Sequence, residues 1–234
     1  MFEISVIKIY NGIGYIWLLE NVNNKIYIWY GEIVKDIILA SASPRRQQLL
    51  TQIGLDFEVK PSDIEEVIDN TLEPSQVAMS LASQKCKDIV SQIEDDCIVI
   101  GADTIVVKDN KMLGKPRDER DAFDMLTSLK GEWHQVVTGL CLYRTSDKKC
   151  ICNYEITKVK ISDKSDAFLN EYISTKEPFD KAGAYGIQGY GSLLVEKIDG
   201  CYFNVMGLPI YKLSCMLEEL GYKINLENAA SDEK

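Results

Sequence analysis

In "ILASASPRRQQLL", residues 38–50, Ser41, Ser43, Pro44, Arg45 and Arg46 stand between an apolar run and an amphipathic one. Serine followed by proline is ordinary helix-start chemistry. Two arginines in the first turn are not, because the positive end of the helix dipole disfavours each cation by about 0.3–1 kcal/mol. A bound anion would offset that term and the repulsion between the guanidiniums. The turn therefore reads either as a phosphate cradle or as a capped helix with two solvated arginines. Lys85 falls on the apolar stripe Leu81, Ala82, Cys86, Ile89, Val90 and Ile93, where a lysine either snorkels to water or delivers charge into a cleft. Asp103 interrupts "IVIGADTIVV", and a carboxylate within such a strand is costly unless it pairs or binds a metal. With Glu65 and Glu66 of "PSDIEE" it makes an oxygen donor set suited to Mg²⁺ or Mn²⁺. Taken alone, the two glutamates read as a solvated acidic turn.

Two more stretches complete the candidate chemistry. "GKPRD" offers Lys115 and Arg117, and "KEPFDKAGAYGIQGYG" offers backbone groups and Gln188, whose amide can read the donor and acceptor edge of a base. The glycine order there is not the dinucleotide fingerprint, which excludes a Rossmann reading. No serine, cysteine or histidine constellation suited to acyl transfer is visible, and His134, the single histidine, reads as structural. Cations for phosphates, carboxylates for a hard metal and an amide for a base together indicate metal-assisted phosphoryl or nucleotidyl chemistry.

These groups need a scaffold, and the pattern supplies one. Strands are expected over 37–42, 57–60, 97–108, 132–144 and 150–161, and helices over 44–53, 74–93, 118–129, 164–174 and 209–220. "SLLVEKIDGCYFNVMG" reads as a further hairpin, and Asp109-Asn110-Lys111 as a tight turn. The long hairpin around "TSDKK" makes the sheet mixed rather than purely parallel. Gly101 and Ala102 leave room for something to approach Asp103. A net charge of −10 argues against a nucleic-acid partner, while a small anion held by local cations stays open. No apolar run is long enough to span a membrane. Seven scattered cysteines with no C-x-x-C pair argue against a structural zinc site, and free thiols point to a reducing cytoplasm. Cys150 and Cys152 share one face of a strand and read as packing residues.

Residues 1–35 differ from the rest, being rich in aromatics and isoleucine, and "IGYIWLLENVNNKIYIWYG" reads as a hairpin. A second reading makes this segment a gene-model artefact, with translation starting near Val34. The expected organisation is an extension over 1–35, a domain over 36–222 and a polar tail over 223–234.

"ILASASPRRQQLL", "PSDIEE", "LASQKC", "IVIGADTIVV", "LGKPRD", "HQVVTGL", "KEPFDKAGAYGIQGYG" and "VMGLPI" follow one another in an order that resembles the Maf-like proteins, nucleoside triphosphate pyrophosphatases once described as septum-formation inhibitors. The resemblance implies an elongated α/β fold with a mixed sheet, flanking helices and two lobes around a cleft, similar to inosine triphosphate pyrophosphatases, and commonly a homodimer. It implies that Asp103 is the proton acceptor and that Ser43, Arg45, Arg46, Glu66, Lys85 and Lys115 belong to the catalytic cleft. Glu66 and Asp103 would hold a divalent Mg²⁺ or Mn²⁺. Arg45, Thr104 and Gln188 fall on positions that separate the dTTP/UTP branch from the 7-methyl-GTP branch, and "GADT" with "AYGIQG" implies the former. A non-catalytic nucleotide-binding regulator of cell division and a pyrophosphatase for 7-methyl-GTP are the alternatives.

Overall fold

The computed structural model describes residues 15–22, 25–32 and 37–224. The chain divides into two compact units, Met1–Lys35 and Asp36–Lys234. In the first, β1 (Tyr15–Val22) and β2 (Lys25–Glu32) pair antiparallel from Tyr15↔Glu32 to Val22↔Lys25, the hairpin expected from the sequence. The alternative start near Val34 and the polar end of the tail lie outside the described residues.

The second unit is built on a seven-stranded mixed sheet of order β4-β3-β5-β7-β8-β9, with β6 also paired to β5. Its strands are β3 (Ile37–Leu39), β4 (Glu58–Val59), β5 (Ile98–Lys108), β6 (Lys111–Leu113), β7 (Trp133–Arg144), β8 (Lys149–Ile161) and β9 (Val195–Asp199). Only the β3–β4 and β3–β5 pairs are parallel; the others are antiparallel. The expected turn between β5 and β6 is present, with positive φ at Asp109 and Asn110.

Alternation along the strands assigns the two faces. Ile37, Leu39, Ile98, Ile100 and Leu140 join the core formed with α1 (Pro44–Gln52) and α6 (Ile210–Glu219). Ile38, Ala40, Val99 and Cys141 point to the other face, where α2 (Pro74–Val90) covers them with Ala82, Cys86 and Ile89. A further core gathers α3 (Glu119–Leu129) and α4 (Asp166–Ser174) against Val136, Val159 and Ile161. Local chemistry fixes these helix starts. Glu73 and Gln76 form a reciprocal capping box ahead of Pro74, and the carboxylate of Asp118 accepts from the Asp121 amide.

One expected element is different. "CYFNVMG" does not form the second strand of a hairpin but a short helix, α5 (Tyr202–Met206). Asn204 lies in the middle of that apolar run and is fully buried. Its amide nitrogen donates to the Val136 carbonyl and the Thr157 hydroxyl, both at 3.0 Å. A strand would send neighbours to opposite faces, whereas the helical turn seats this amide among buried acceptors and lets Gly207 close the helix at positive φ.

Candidate active site

The site begins where the sheet is incomplete. Along one edge β5 pairs with β7 from Ile98 to Val107. Along the other edge β3 pairs only with Ile98–Ile100, and β6 only from Val106 onward. The five residues between, 101–105, therefore have an open edge, and Asp103 and Thr104 sit in the middle of it. A cleft of about 660 Å³ opens here, lined by the turn after β3, the acidic loop, α2, the segment after β6 and the loop before β9. The nine residues that the resemblance assigns to the cleft and to substrate choice, Ser43, Arg45, Arg46, Glu66, Lys85, Asp103, Thr104, Lys115 and Gln188, all line this one cavity. Glu65 does not line it, and Arg117 is exposed and paired with Asp121 at 3.0 Å.

Strand alternation turns Asp103 and Thr104 to opposite faces and gives each its own network. On the α2 face, Lys85 Nζ donates to Asp103 Oδ1 at 2.5 Å and lies 2.9 Å from Glu66 Oε1. Lys85 and Asp103 are both mostly buried, with side-chain exposures of 15% and 14%, so the lysine has not snorkelled to water. This contact depends on close helix–strand approach. A Cβ on Gly101 would come within 2.2 Å of the Ala82 carbonyl, and one on Gly139, directly opposite Asp103, within 2.2 Å of the Ala78 backbone. The space that Gly101 leaves is thus filled by α2 rather than by a ligand, and this brings Lys85 down onto the carboxylate.

On the other face Arg46 is buried. Its Nε donates to the Gly207 carbonyl at 2.8 Å, Nη1 to Ser41 Oγ at 2.9 Å and Nη2 to Thr104 Oγ1 at 3.1 Å. Thr104 is in turn 3.0 Å from the Thr138 hydroxyl, which donates to the Asn204 carbonyl. Burial pulls the Arg46 pKa below its ordinary value, opposed by the charge of Asp103. Arg45 reaches across the cleft, and its Nη1 donates to Asp180 Oδ2 at 2.9 Å. Lys181 Nζ donates to the other Asp180 oxygen at 2.6 Å. Burial pushes the Asp180 carboxyl up, but the bonds from Lys181 and Arg45 outweigh it and hold the group below the usual carboxylate value.

Ser43 occupies the N-cap position of α1, yet its side chain makes no capping bond. That hydroxyl is left for the cleft, where the sequence suggested an ordinary serine cap. Lys115 and Gln188 have no side-chain hydrogen bond or ion pair among the described residues. His134 is structural, as expected: it is buried, its Nε2 lies 2.6 Å from the Tyr185 hydroxyl, and burial, with the charge of Lys108, pulls its pKa down to about 4.

A family model described as "Maf-like protein" matches residues 36–220. The chain belongs to the Maf-like family. Relatives include the dTTP/UTP pyrophosphatase of Alkaliphilus oremlandii, 52% identical over 82% of this chain and 100% of that protein. The protein of the same name from Caldicellulosiruptor bescii is 47% identical over 82% of this chain and 98% of its own. Among solved structures, the dITP/XTP pyrophosphatase of Mycobacterium abscessus is similar at a TM-score of 0.38 and 12% identity, over 79% of this chain and 94% of that one. The α/β class of this Maf-like protein rests on its own sheet.

Sequence reasoning missed three polar residues of the Maf-like cleft, Asp180, Lys181 and Ser62. Asp180 and Lys181 stand in "KEPFDKAGAYGIQGYG", where the glycines and Gln188 are the conspicuous residues; the adjacent opposite charges before the loop are the available signal. Ser41 was visible in the opening turn, though nothing local marks it as the acceptor for Arg46. Ser62, in "PSDIEE", has a buried hydroxyl with no partner among the described residues, and it lines the cleft. With these included, five cationic side chains (Arg45, Arg46, Lys85, Lys115, Lys181) face three carboxylates (Glu66, Asp103, Asp180).

Proposed function

We propose that this Maf-like protein hydrolyses dTTP and UTP in the Asp103 cleft, giving the nucleoside monophosphate and pyrophosphate. The observation that carries this reading is the placement of Asp103 on the open edge of β5, its carboxylate fixed by Lys85 inside a cation-rich cavity. A surplus of positive charge in a chain of net charge −10 selects a compact polyanion. The cavity volume suits a small molecule. The name shared by relatives about half identical over most of this chain agrees with that chemistry.

Roles follow from position. Asp103 takes the proton of the attacking water, and Lys85 orients it and bridges to Glu66. In-line attack at the α-phosphorus expels pyrophosphate, whose growing charge is met by Arg45, Lys115 and Lys181. Arg46 acts from beneath, through its charge and by fixing Thr104. The carboxylates of Glu66 and Asp103 are hard oxygen donors that converge on one cation already, the Lys85 ammonium, and they suit a divalent Mg²⁺ or Mn²⁺. Such an ion would lower the pKa of the attacking water and neutralise phosphate charge. Ser43 offers a hydroxyl to a phosphate oxygen. Gln188 and Thr104, with Arg45, select the nucleotide.

Pyrophosphate release from dTTP, UTP, 7-methyl-GTP and the common purine triphosphates, each with Mg²⁺ or Mn²⁺, tests the proposal. Turnover of dTTP and UTP above the others is expected. Release from 7-methyl-GTP alone would place the chain in the other branch, and no release from any nucleotide would favour a binding regulator.

A further inference from the structure

A second constellation lies outside the cleft. Antiparallel pairing sets Cys141 of β7 directly opposite Cys152 of β8, and Cys150 two residues away faces the same side. Strand alternation puts all three sulfurs on the face covered in part by α2. Cys141 Sγ lies 3.4 Å from Cys150 Sγ, and the three Sγ atoms are all within 4.8 Å of one another. Cys141 is fully buried and joins Cys86 of α2 in one core cluster, whereas Cys150 and Cys152 are exposed. Among the described residues this is the one group of three or more side chains spaced to hold a metal ion.

The sequence argued against a zinc site because it has no C-x-x-C pair. Spacings of nine and two residues along the chain conceal a convergence that only the β7–β8 register creates. Sulfur alone, with no carboxylate or imidazole in the group, excludes Mg²⁺ and Ca²⁺ and favours Zn²⁺ or Cu⁺. Three sulfurs each about 2.3 Å from one ion lie about 4 Å apart. With one pair at 3.4 Å and none beyond 4.8 Å, modest side-chain rotation closes the set. The exposure of Cys150 and Cys152 gives an ion a path in.

A disulfide is the competing use of such a cluster. Closing it needs a two-electron oxidant, whereas a thiophilic ion displaces the thiol protons directly. We propose that Cys141, Cys150 and Cys152 form a three-thiolate site for a thiophilic metal ion, Zn²⁺ in the first instance, that clasps the β7–β8 hairpin.

The full-length protein, reduced and stripped of metal with a chelator, is titrated with Zn²⁺ and with Cd²⁺. Cd²⁺ reports sulfur ligation through its thiolate charge-transfer absorption, a signal that Glu66 and Asp103 cannot give. One sulfur-bound ion per chain, protection of the exposed Cys150 and Cys152 from alkylation and a higher melting temperature are expected. The double variant Cys150→Ser, Cys152→Ser changes only exposed positions, and it should lose the absorption and weaken binding by at least about 100-fold. The variant Cys215→Ser, which removes an exposed cysteine outside the cluster, should bind as the parent does. Absence of the Cd²⁺ band, unchanged affinity in the double variant, or a Cys141–Cys152 disulfide formed in place of metal uptake would overturn the proposal.

Discussion

Asp103 and Lys85 each stand on an apolar element, the one in a core strand and the other on the packed stripe of α2. A carboxylate in an apolar strand and a lysine on an apolar helix stripe each demand a partner, and the structure makes them partners. The two arginines of the opening turn were legible as a question rather than an answer. The structure separates them: Arg45 spans the cleft to Asp180, and Arg46 is buried on three protein acceptors. That difference predicts different phenotypes. Arg45→Ala should lower kcat/KM for dTTP on the order of 10²-fold, with the melting temperature little changed. Arg46→Ala removes the guanidinium donor to the Gly207 carbonyl and to the Ser41 and Thr104 hydroxyls, and should cost on the order of 3 kcal/mol of stability. Urea denaturation and steady-state kinetics on both variants check the pair, and equal stability losses would refute the division. Asp180 escaped notice because its partner Arg45 is 135 residues distant in sequence, and no local pattern reports such a pair.

Helix and strand placement was legible wherever periodicity and caps agreed, as at α2 and α3. The gap between β3 and β6 that exposes residues 101–105 was not, because it depends on how far each neighbour pairs along β5. The α5 segment misled for a related reason: a short apolar run after the Asp199-Gly200 turn imitates a strand, while the buried Asn204 amide finds its acceptors only in the folded sheet. The close seating of α2 on the sheet is the element-scale feature on which the site depends most. Gly101→Ala places a methyl group against the Ala82 carbonyl, which cannot yield without moving the helix. It should cost about 1–3 kcal/mol through overpacking. Because Lys85 rides on that helix, kcat should fall as much as about 10²-fold although no reacting group is altered. A variant with wild-type turnover would show that α2 does not set the geometry of Asp103.

At the scale of the whole molecule, the acidic composition was legible and argued against a nucleic-acid partner, but it concealed the local reversal of sign in the cleft. Five cations reach that cavity from α1, α2, the segment after β6 and the loop before β9, a convergence visible only in three dimensions. The buried histidine gives the molecule a separate acid response. Its pKa is about 4 in the folded chain against 6.5 unexposed to burial, so the folded state resists protonating it. This stabilisation is complete above about pH 6.5 and is lost as the pH falls toward 4, by on the order of 3 kcal/mol in all. His134→Gln, which keeps a partner for the Tyr185 hydroxyl without titrating, should flatten that part of the stability–pH curve. Parallel curves for the two proteins between pH 7 and 4 would rule out His134 as the source.

The central claim is that Asp103 activates the water that attacks the α-phosphorus of dTTP. The direct measurement is turnover of dTTP in heavy-oxygen water by the wild-type chain and by Asp103→Asn. Label is expected in the monophosphate and none in pyrophosphate, with a fall in kcat of about 10²–10⁴-fold in the variant and KM nearly unchanged. Label in pyrophosphate, or near-normal turnover by Asp103→Asn, would contradict it.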